Sequence, residues 1–334
     1  MEKALNEREV DVADIEDAAK VLDGHAVLTP LLEFAPLNEL TGRRVLVKFE
    51  GAQHTGSFKF RGAYNRLARL SVADRAKGVV AWSSGNHAQG VAAAARLVGT
   101  PATIVMPSDA PVIKVDNTRE LGAEIIFYDR RTQSREEIAT ALANERGATL
   151  VPSFDDPFVI AGQGTIGLEI LEQGRAAGAD ITQVLVNCGG GGLVAGIATA
   201  MKARLPAIEI FAVEPDDFND TMRSLASGVR ESVGTSAKSI CDALLTPSPG
   251  ELTFPINLRL LSGGLSVSDE QVRTAMRFAF EKMKLVIEPG GAVSLAALLH
   301  GVAPQTSGDC AIVVSGSNVD AATFSESINR AALL

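Results

Sequence analysis

The chain has 334 residues, 46% hydrophobic and 21% charged, and its 40 acidic side chains outnumber 31 basic ones to give a formal net charge of −9. This length can bury one large core or two smaller ones, and an acidic balance without a Lys/Arg-rich run argues against a nucleic-acid partner. No apolar run reaches the roughly 18 residues of a membrane-spanning helix, and three widely spaced cysteines favour a reducing, cytoplasmic compartment over a disulfide framework.

Short β-rich runs alternate with helical patterns along the chain. The predicted strands are residues 44–49, 78–82, 102–106, 124–128, 183–187, 209–213 and 310–314. The predicted helices include residues 88–98, 134–145 and 269–283. Because several strands are nearly all apolar, we expect helices to cover both of their faces. The alternation predicts an α/β fold with parallel sheets in two blocks, 78–149 and 150–334, and a ligand cleft between them.

The first motif in chain order is a lysine between two aromatic residues. In HTGSFKFRGA, Lys59 lies between Phe58 and Phe60 near the start of a predicted helix, with Arg61 close by. Apolar rings and a neighbouring cation disfavour the ammonium form, which would lower the pKa of the amine and make it a nucleophile. Because most lysines are simply solvated, the motif indicates a reactive amine only in combination with others.

A short polar loop follows the second predicted strand, in AWSSGNHAQG. Ser83, Ser84, Gly85, Asn86 and His87 stand between this strand and a helix, where exposed N–H groups and hydroxyls suit a carboxylate ligand. An ordinary helix cap, with Ser84 or Asn86 satisfying the first turn, would explain the same residues. The loop is therefore a candidate carboxylate site or a plain cap.

Four consecutive glycines, Gly189, Gly190, Gly191 and Gly192, follow the predicted strand 183–187 and lead into a helix. Such a run exposes backbone N–H groups at the positive end of the helix, which suits an oxyanion and above all a phosphate. A close crossing of helix and strand would also need small residues, although four in a row favour the anion site.

The same segment satisfies a dinucleotide fingerprint. Gly190, Gly192 and Ala195 have the GxGxxA spacing, and Glu214 ends the next predicted strand, where a ribose-binding acid would lie. Taken alone, this segment does not separate a nicotinamide enzyme from any other phosphate-binding protein.

Taken together, the motifs resemble one enzyme family. The last of them, VVSGSN, puts Ser315 at the end of an apolar strand, where a hydroxyl could meet a heterocyclic nitrogen. Six segments occur in this order along the chain: SFKFRGA, SSGNHAQG, VIAGQGTIGLEI, NCGGGGLVAGIA, IEPGGA and VVSGSN. Together they resemble the pyridoxal-phosphate enzymes of fold type II, in the branch of threonine/serine dehydratases, 3-hydroxyaspartate dehydratases and serine racemases. The resemblance implies a two-domain, open twisted parallel-sheet architecture with the cofactor in the interdomain cleft. It assigns 1–77 and 150–334 to a large cofactor-binding domain and 78–149 to a small substrate-loop domain.

The resemblance also implies a role for each motif. Lys59 would hold the cofactor as a Schiff base and move the α-proton, and Ser84 would be a second proton carrier on the opposite face of the cofactor. The expected cofactor contacts are Gly189, Gly190, Gly191 and Gly192 with the phosphate, Asn86 with the phenolic oxygen, Ser315 with the pyridine nitrogen and Phe58 with the ring. The substrate carboxylate would bind to Ser83, Ser84, Gly85, Asn86 and His87.

Two further matches concern a cation and a second carboxylate. Glu214, Asp220 and the carbonyl of Phe218 fall where racemase-like members bind Mg²⁺ or Ca²⁺, although a solvated acidic turn would look the same. Arg135 falls where racemase and 3-hydroxyaspartate members have an arginine, which could bind a second carboxylate. An exposed helical arginine paired with a glutamate one turn away is the alternative.

The resemblance thus implies a dehydratase (ammonia-lyase) that eliminates water from threonine, serine or 3-hydroxyaspartate to give a 2-oxo acid and ammonia. A neutral Ser315 partner makes the pyridine ring a weaker electron sink, which favours β-elimination. The alternatives are an amino-acid racemase with side elimination, a nicotinamide oxidoreductase, which leaves Lys59 and Asn86 without roles, and a non-catalytic ligand-binding protein. A homodimer or homotetramer is implied, and Cys188 and Ser317 have no assigned role.

Overall fold

The computed structural model describes residues 9–110 and 112–332, which form two β-sheets with helices on their faces. The strands are β1 (Leu31–Glu33), β2 (Val45–Phe49), β3 (Val79–Trp82), β4 (Ala102–Pro107), β5 (Glu124–Tyr128), β6 (Thr149–Leu150), β7 (Ile181–Asn187), β8 (Glu209–Pro215), β9 (Gly263–Val267) and β10 (Asp309–Val314). The helices are α1 (Val12–Leu22), α2 (Ala35–Thr41), α3 (Lys59–Ala68), α4 (Val72–Lys77), α5 (Asn86–Val98), α6 (Val112–Glu120), α7 (Arg135–Arg146), α8 (Pro157–Ala176), α9 (Gly192–Lys202), α10 (Asp220–Ser227), α11 (Thr253–Leu260), α12 (Asp269–Phe278), α13 (Val293–Leu299) and α14 (Ala321–Arg330).

The two sheets are almost entirely parallel. The larger has the strand order β1-β2-β10-β7-β8-β9, in which only β1 and β2 run antiparallel, and the smaller has the order β5-β4-β3-β6. The predicted α/β class with parallel sheets is confirmed. In the larger sheet, β10 and β7 are central, which explains why residues such as Val184 and Ile312 are fully buried and why most side chains of both strands are apolar.

Several helices and strands begin or end at residues other than those predicted from the sequence. The predicted helix 269–283 is an α-helix only to Phe278 and then continues as a π-helical turn, Ala279–Met283. Its start is confirmed, because the Ser268 side chain caps it in a capping box with Gln271. Among the described residues, no helix combines the length and apolar character needed to cross a bilayer.

Helix α3, which begins at Lys59, is held tightly between neighbouring elements. A Cβ on Gly162 of α8 would lie 2.7 Å from the carbonyl oxygen of Arg61, so glycine lets the two backbones touch. Phe60 and Leu67 of α3 also share an apolar cluster with Val79 of the smaller sheet. Helix α3 therefore contributes to the core beneath that sheet, although it precedes residue 78. The proposed domain limits stay a prediction.

The carboxyl ends of neighbouring strands bring distant motifs together, as is general for parallel α/β sheets. The segment before Lys59 lies against the end of β10, because the N–H of Phe58 donates to the Ser315 carbonyl at 3.1 Å and the N–H of Ser317 donates to the Gly56 carbonyl at 2.9 Å. The lysine helix and Ser315 therefore meet at one edge of the larger sheet, next to the loop that follows β7.

Candidate active site

A narrow cleft at this sheet edge collects most of the predicted cofactor residues. It is lined, among others, by Phe58, Lys59, Asn86, Gly189, Gly190, Gly191, Gly192 and Ser315. A larger groove of about 1240 Å³ lies elsewhere, along α1 and α8, and none of these residues lines it. The cleft, and not the larger groove, is the candidate active site because the motif residues converge there.

The amine of Lys59 is surrounded by protein atoms. Its Nζ donates to the Ser153 carbonyl at 2.8 Å and lies 5.0 Å from the centre of the Phe58 ring. Desolvation lowers the pKa of the amine to about 8, against the opposing effect of the buried Glu288 carboxyl. A larger share of the amine is therefore uncharged near neutral pH than for an ordinary lysine.

The glycine loop is both tightly packed and placed at a helix start. A Cβ on Gly190 would lie 2.4 Å from the Phe154 ring, and one on Gly192 would lie 2.8 Å from the Phe154 carbonyl oxygen. Gly191 has a φ of +92°, a left-handed conformation that favours glycine. Helix α9 begins in this loop, and the first N–H groups of a helix have no partner within it. Close packing thus explains the glycines, and the same loop presents N–H groups at a positive helix end.

The hydroxyl of Ser315 is oriented by a neighbouring amide. The Asn187 Oδ1 atom accepts from both the N–H and the hydroxyl of Ser294. The Asn187 Nδ2 atom must then donate, and it does so to the Gly290 carbonyl at 2.9 Å and to Ser315 Oγ at 3.0 Å. Because Ser315 Oγ accepts from Asn187, the hydroxyl hydrogen of Ser315 is left to be donated into the cleft.

The predicted substrate loop adjoins the cleft, and its side chains differ in their hydrogen-bond partners and in their burial. Ser83 Oγ accepts from the N–H of Gly85 at 3.1 Å, and a Cβ on Gly85 would face open space. The His87 ring bonds to the Val151 carbonyl at 2.8 Å, and burial, helped by the Lys59 charge, lowers the pKa of its imidazole to about 3. Because the imidazole is neutral and already bonded to the Val151 carbonyl, only the backbone N–H of His87 remains to bind a carboxylate. Ser84 is half-buried in the same loop.

Arg135 is not brought into the cleft. It is the first residue of α7, its side chain is 45% exposed, and its Nε lies 3.1 Å from Glu136 Oε1. Arg135 is thus exposed, as in the alternative that the sequence left open, but its partner is the adjacent Glu136 and not a glutamate one turn away.

The two predicted cation-binding carboxylates are buried close together. Glu214, at the end of β8, accepts from the N–H groups of Thr221 and Met222 at 3.0 and 2.8 Å, and the Oδ2 atom of the buried Asp220 has no hydrogen-bond partner. Burial raises the pKa of Glu214 to about 8, aided by the Asp220 charge, and burial raises the pKa of Asp220 to about 7. Phe218 is the buried residue of the turn between them. Within the described part of the chain, no group of three His, Cys, Asp or Glu side chains could hold a metal ion.

The two unassigned residues have structural contacts. Ser317 donates its hydroxyl to the Val286 carbonyl at 2.7 Å. The buried Cys188 thiol lies 3.4 Å from both the Gly189 carbonyl and the Thr221 hydroxyl, and burial raises its pKa well above the usual range, which makes it unreactive. Both residues therefore support the loops around the cleft.

Several residues that line the cleft were not predicted from the sequence. Among them are Ser153, Phe154, Asn187, Leu244, Thr246 and Glu288. Most come from loops without a motif. Glu288 was visible within IEPGGA, where an acidic residue between an apolar one and Pro-Gly-Gly was the available signal.

Parallel sheets, a glycine loop at a helix start and a lysine amine of lowered pKa in one cleft are typical of α/β enzymes that bind a phosphorylated cofactor. Over residues 22–316 the sequence matches the family described as "Pyridoxal-phosphate dependent enzyme", and the chain belongs to this family.

Individual relatives cover nearly the whole chain. The L-threo-3-hydroxyaspartate ammonia-lyase of Pseudomonas sp. is 46% identical over 92% of this chain and 95% of its own length. Among solved structures, the T.th. threonine deaminase has a TM-score of 0.87 and 43% identity, covering 93% of this chain and 99% of its own. Maize serine racemase has a TM-score of 0.90 and 36% identity, covering 97% and 98%. The expected fold type II architecture is confirmed, and these similarities favour the pyridoxal-phosphate interpretation over the nicotinamide one.

Proposed function

We propose that this chain is a pyridoxal-phosphate-dependent ammonia-lyase that eliminates water from a small β-hydroxy amino acid to give a 2-oxo acid and ammonia. The observation that carries the proposal is the desolvated amine of Lys59 in the same cleft as the glycine loop and Ser315. The similarity to the 3-hydroxyaspartate ammonia-lyase of Pseudomonas favours L-threo-3-hydroxyaspartate as substrate, ahead of threonine and serine. Racemisation is the second candidate, because a serine racemase is a close structural neighbour.

The cleft residues fit the cofactor group by group. The loop of Gly189, Gly190, Gly191 and Gly192 would bind the phosphate, since its close packing against Phe154 leaves it little freedom and α9 begins there. Asn86 would donate to the phenolic oxygen, Phe58 would pack on the ring, and the Ser315 hydroxyl would donate to the pyridine nitrogen. Because a serine hydroxyl is neutral, it does not force that nitrogen to hold a proton.

When bound, pyridoxal phosphate supplies an aldehyde that takes up amines and a ring that withdraws electrons from the substrate Cα. Lys59 is the proposed base that takes the proton from Cα, and its lowered pKa provides the uncharged amine that this requires. Ser84 is the proposed proton carrier on the opposite side. The N–H groups at the start of α5, with Ser83, Gly85 and His87, would bind the substrate carboxylate.

A panel of substrates tests the proposed reaction. Holoenzyme is offered L- and D-threonine, L- and D-serine and the stereoisomers of 3-hydroxyaspartate, and 2-oxo acid and ammonia are measured together. We expect equal amounts of the two products and the highest kcat/KM for L-threo-3-hydroxyaspartate. A protein that racemises serine faster than it releases ammonia from any of these compounds would favour the second candidate instead.

Replacing Arg135 tests its role as a ligand for the second carboxylate. Because Arg135 lies on the surface in an ion pair, it can meet a dicarboxylate only after releasing Glu136. If it does, Arg135→Gln should raise KM for 3-hydroxyaspartate about 10- to 100-fold, as expected for a lost charge-assisted hydrogen bond, and leave KM for threonine unchanged. The exposed Arg131→Gln is the matched control. Equal effects on both substrates would remove Arg135 from substrate binding.

We also propose that Glu214, Asp220 and the Phe218 carbonyl bind Mg²⁺ or Ca²⁺. Two buried carboxyls, one with an oxygen that lacks a partner, support a hard cation as the missing neighbour.

Asp220→Asn should separate cation binding from stability. Mg²⁺ or Ca²⁺ should raise the melting temperature of the wild type by about 5 °C, as expected for a ligand that binds only the folded state, and have no such effect on Asp220→Asn. Without cations the variant should be at least as stable as the wild type, because an unpartnered buried carboxyl is gone. Asp216→Asn, an exposed change in the same turn, is the control. Equal cation effects in both variants would contradict the assignment.

Three further expectations belong to this proposal. The limits 1–77 with 150–334 and 78–149 agree with the sheet membership of the strands except β6 (Thr149–Leu150), which spans the second limit, while α3 packs beneath the smaller sheet from outside its limits. A homodimer or homotetramer, to be measured by light scattering, follows from the resemblance alone. A cytoplasmic location accords with the three free, buried cysteines.

A further inference from the structure

Glu288 is a buried carboxyl to which neither the motifs nor the proposed mechanism gives a role. Its side chain is 2% exposed and lines the cleft together with Lys59 and Asn86. We propose that Glu288 is a positioning residue: it fixes the amide of Asn86 toward the cofactor and, through its own charge, sets the pH response of the cofactor held at Lys59. The inference rests on the proposed function, because it requires pyridoxal phosphate in this cleft.

The Asn86 amide can take only one orientation. Its Nδ2 donates to Glu288 Oε1 at 2.6 Å, and its Oδ1 accepts from Asn318 Nδ2 at 2.8 Å. A flipped amide would place an oxygen against the carboxyl and an N–H group against another N–H group. Since Glu288 takes one of the two N–H groups of Asn86, the second is left to donate into the cleft.

The backbone holds Glu288 in this place. Its N–H donates to the Gly316 carbonyl at 3.2 Å, and its carbonyl accepts from the N–H of Gly291 at 2.9 Å. A Cβ on Gly316 would lie 2.3 Å from Glu288 Oε1, so only glycine leaves room for the carboxyl. The pairing of Glu288 with Asn86 is therefore built into the strand end that also carries Ser315.

Ionisable groups face Glu288 from several elements. They are Lys59 at the start of α3, Lys114 on α6, and Asp242 and Cys241 in the turn that ends at Leu244. Burial raises the pKa of Glu288 to about 8 and Asp242 adds to this effect, while the hydrogen bond from Asn86 and the charge of Lys114 oppose it. Glu288 therefore gains its negative charge as the pH rises through about 8, and that charge favours a proton on the nitrogen of Lys59.

A pH titration of the visible absorbance of the holoenzyme tests the inference, because that absorbance depends on the proton at the cofactor-bound nitrogen. The wild type should show a step with a midpoint near pH 8. Glu288→Gln keeps an acceptor for Asn86 but has no charge, so it should lack this step. Glu281→Gln, an exposed glutamate paired with Arg277, should retain it. A step of unchanged midpoint and size in Glu288→Gln overturns the proposal.

Two neighbouring charges provide an independent check that does not depend on the folding of Glu288→Gln. Asp242→Asn removes a negative charge and should lower the midpoint, and Lys114→Met removes a positive charge and should raise it. These two residues form an ion pair with each other and do not touch Asn86. Absence of both shifts, or shifts in the same direction, contradicts the inference.

Cofactor affinity separates the positioning of Asn86 from the charge effect. Glu288→Gln should bind pyridoxal phosphate within about twofold of the wild type, whereas Glu288→Leu, which leaves a buried N–H of Asn86 without an acceptor, should weaken binding about tenfold. Equal affinity in both variants overturns the positioning role. A wild-type protein that takes up no pyridoxal phosphate would instead refute the proposed function, and a holoenzyme whose step survives in Glu288→Gln would refute this inference alone.

Discussion

Lys59→Ala is expected to abolish turnover, with kcat/KM for 3-hydroxyaspartate falling at least ~10³-fold, while the protein stays folded. The amine of Lys59 is in contact with the Ser153 carbonyl and the Phe58 ring within the cleft, and the variant removes the base proposed to take the Cα proton. Ammonia release measures the loss. Borohydride treatment of the wild-type holoenzyme should fix the cofactor to the peptide that contains Lys59, and the same treatment of the variant should not.

Lys59→Met shows whether that loss comes from chemistry or from misfolding. Desolvation lowers the pKa of Lys59 to about 8, so the folded protein disfavours its charge. The cofactor-free Met variant should therefore unfold at the same urea concentration as the wild type or a higher one. This advantage should be full below about pH 8 and vanish as the pH approaches the ordinary lysine value of 10.5. Lys77→Met, at an exposed lysine, is the control for both activity and stability. Activity above a tenth of wild type in Lys59→Ala would exclude Lys59 as the base.

The strands that could be predicted are those buried on both faces. Segments such as 183–187 and 310–314 are mostly apolar because each pairs with strands on both sides and is covered by helices. β1 has three residues at a sheet edge, β6 has two, and β9 begins with two half-buried glycines. Such short strands form because a neighbouring strand provides hydrogen-bond partners. The local sequence pattern does not indicate which segments have such a neighbour.

The residues of the candidate active site also fall into those that the sequence predicts and those that it does not. The glycine loop, Lys59 and Ser315 could be found because each stands in a local motif at the end of a strand or the start of a helix. Their partners could not, because Ser153 is 94 residues from Lys59, and Glu288 is 202 residues from Asn86. These residues meet only in the folded chain: Asn86 and Ser153 follow strands β3 and β6 of the smaller sheet, and Lys59 and Glu288 lie against the end of β10 in the larger one.

Two predicted substrate residues show how one pattern fits two structures. His87 follows a loop that suits a carboxylate, yet its ring is satisfied by the Val151 carbonyl. Arg135 stands at the first turn of a helix, where an arginine that binds substrate and one that pairs with Glu136 have the same sequence. The burial of the side chain and its hydrogen-bond partners in the folded protein decide between such interpretations. The local spacing of residues in the sequence predicts neither of these properties.

Arg61→Met is expected to destabilise the protein by about 3–5 kcal/mol, the largest effect on stability that the structure indicates. Arg61 is 1% exposed, and its guanidinium bonds to both oxygens of Glu50 and to both oxygens of Glu169. Burial opposes its charge, but the two carboxylates outweigh burial and raise its pKa, so Arg61 is always charged. Removing it leaves the fully buried Glu50 carboxylate without its ion-pair partner and leaves Glu169 with Lys48, whose Nζ lies 2.6 Å from Glu169 Oε2. Urea unfolding of the wild type and the variant measures the difference.

Further variants separate the lost charge from lost packing. Arg61→Lys keeps the charge but cannot reach two carboxylates with a fork of five N–H groups, so it should lose a large part of the same stability. Adding Glu50→Gln to Arg61→Met should restore part of it, because the buried Glu50 charge left without Arg61 disappears while Glu169 stays paired with the buried Lys48. Arg330→Met, which breaks an exposed pair with Glu326, should cost only ~0.3–0.5 kcal/mol.

The position of Arg61 ties this stability to the active site. It lies two residues after Lys59 on α3, so the carboxylates that bind its guanidinium also fix the start of the lysine helix. We therefore expect Arg61→Met to weaken pyridoxal-phosphate binding under conditions where the protein is still folded, whereas Arg330→Met should not. If Arg61→Met costs no more than Arg330→Met, or if the added Glu50→Gln restores nothing, then packing and not the buried charges stabilises this part of the fold.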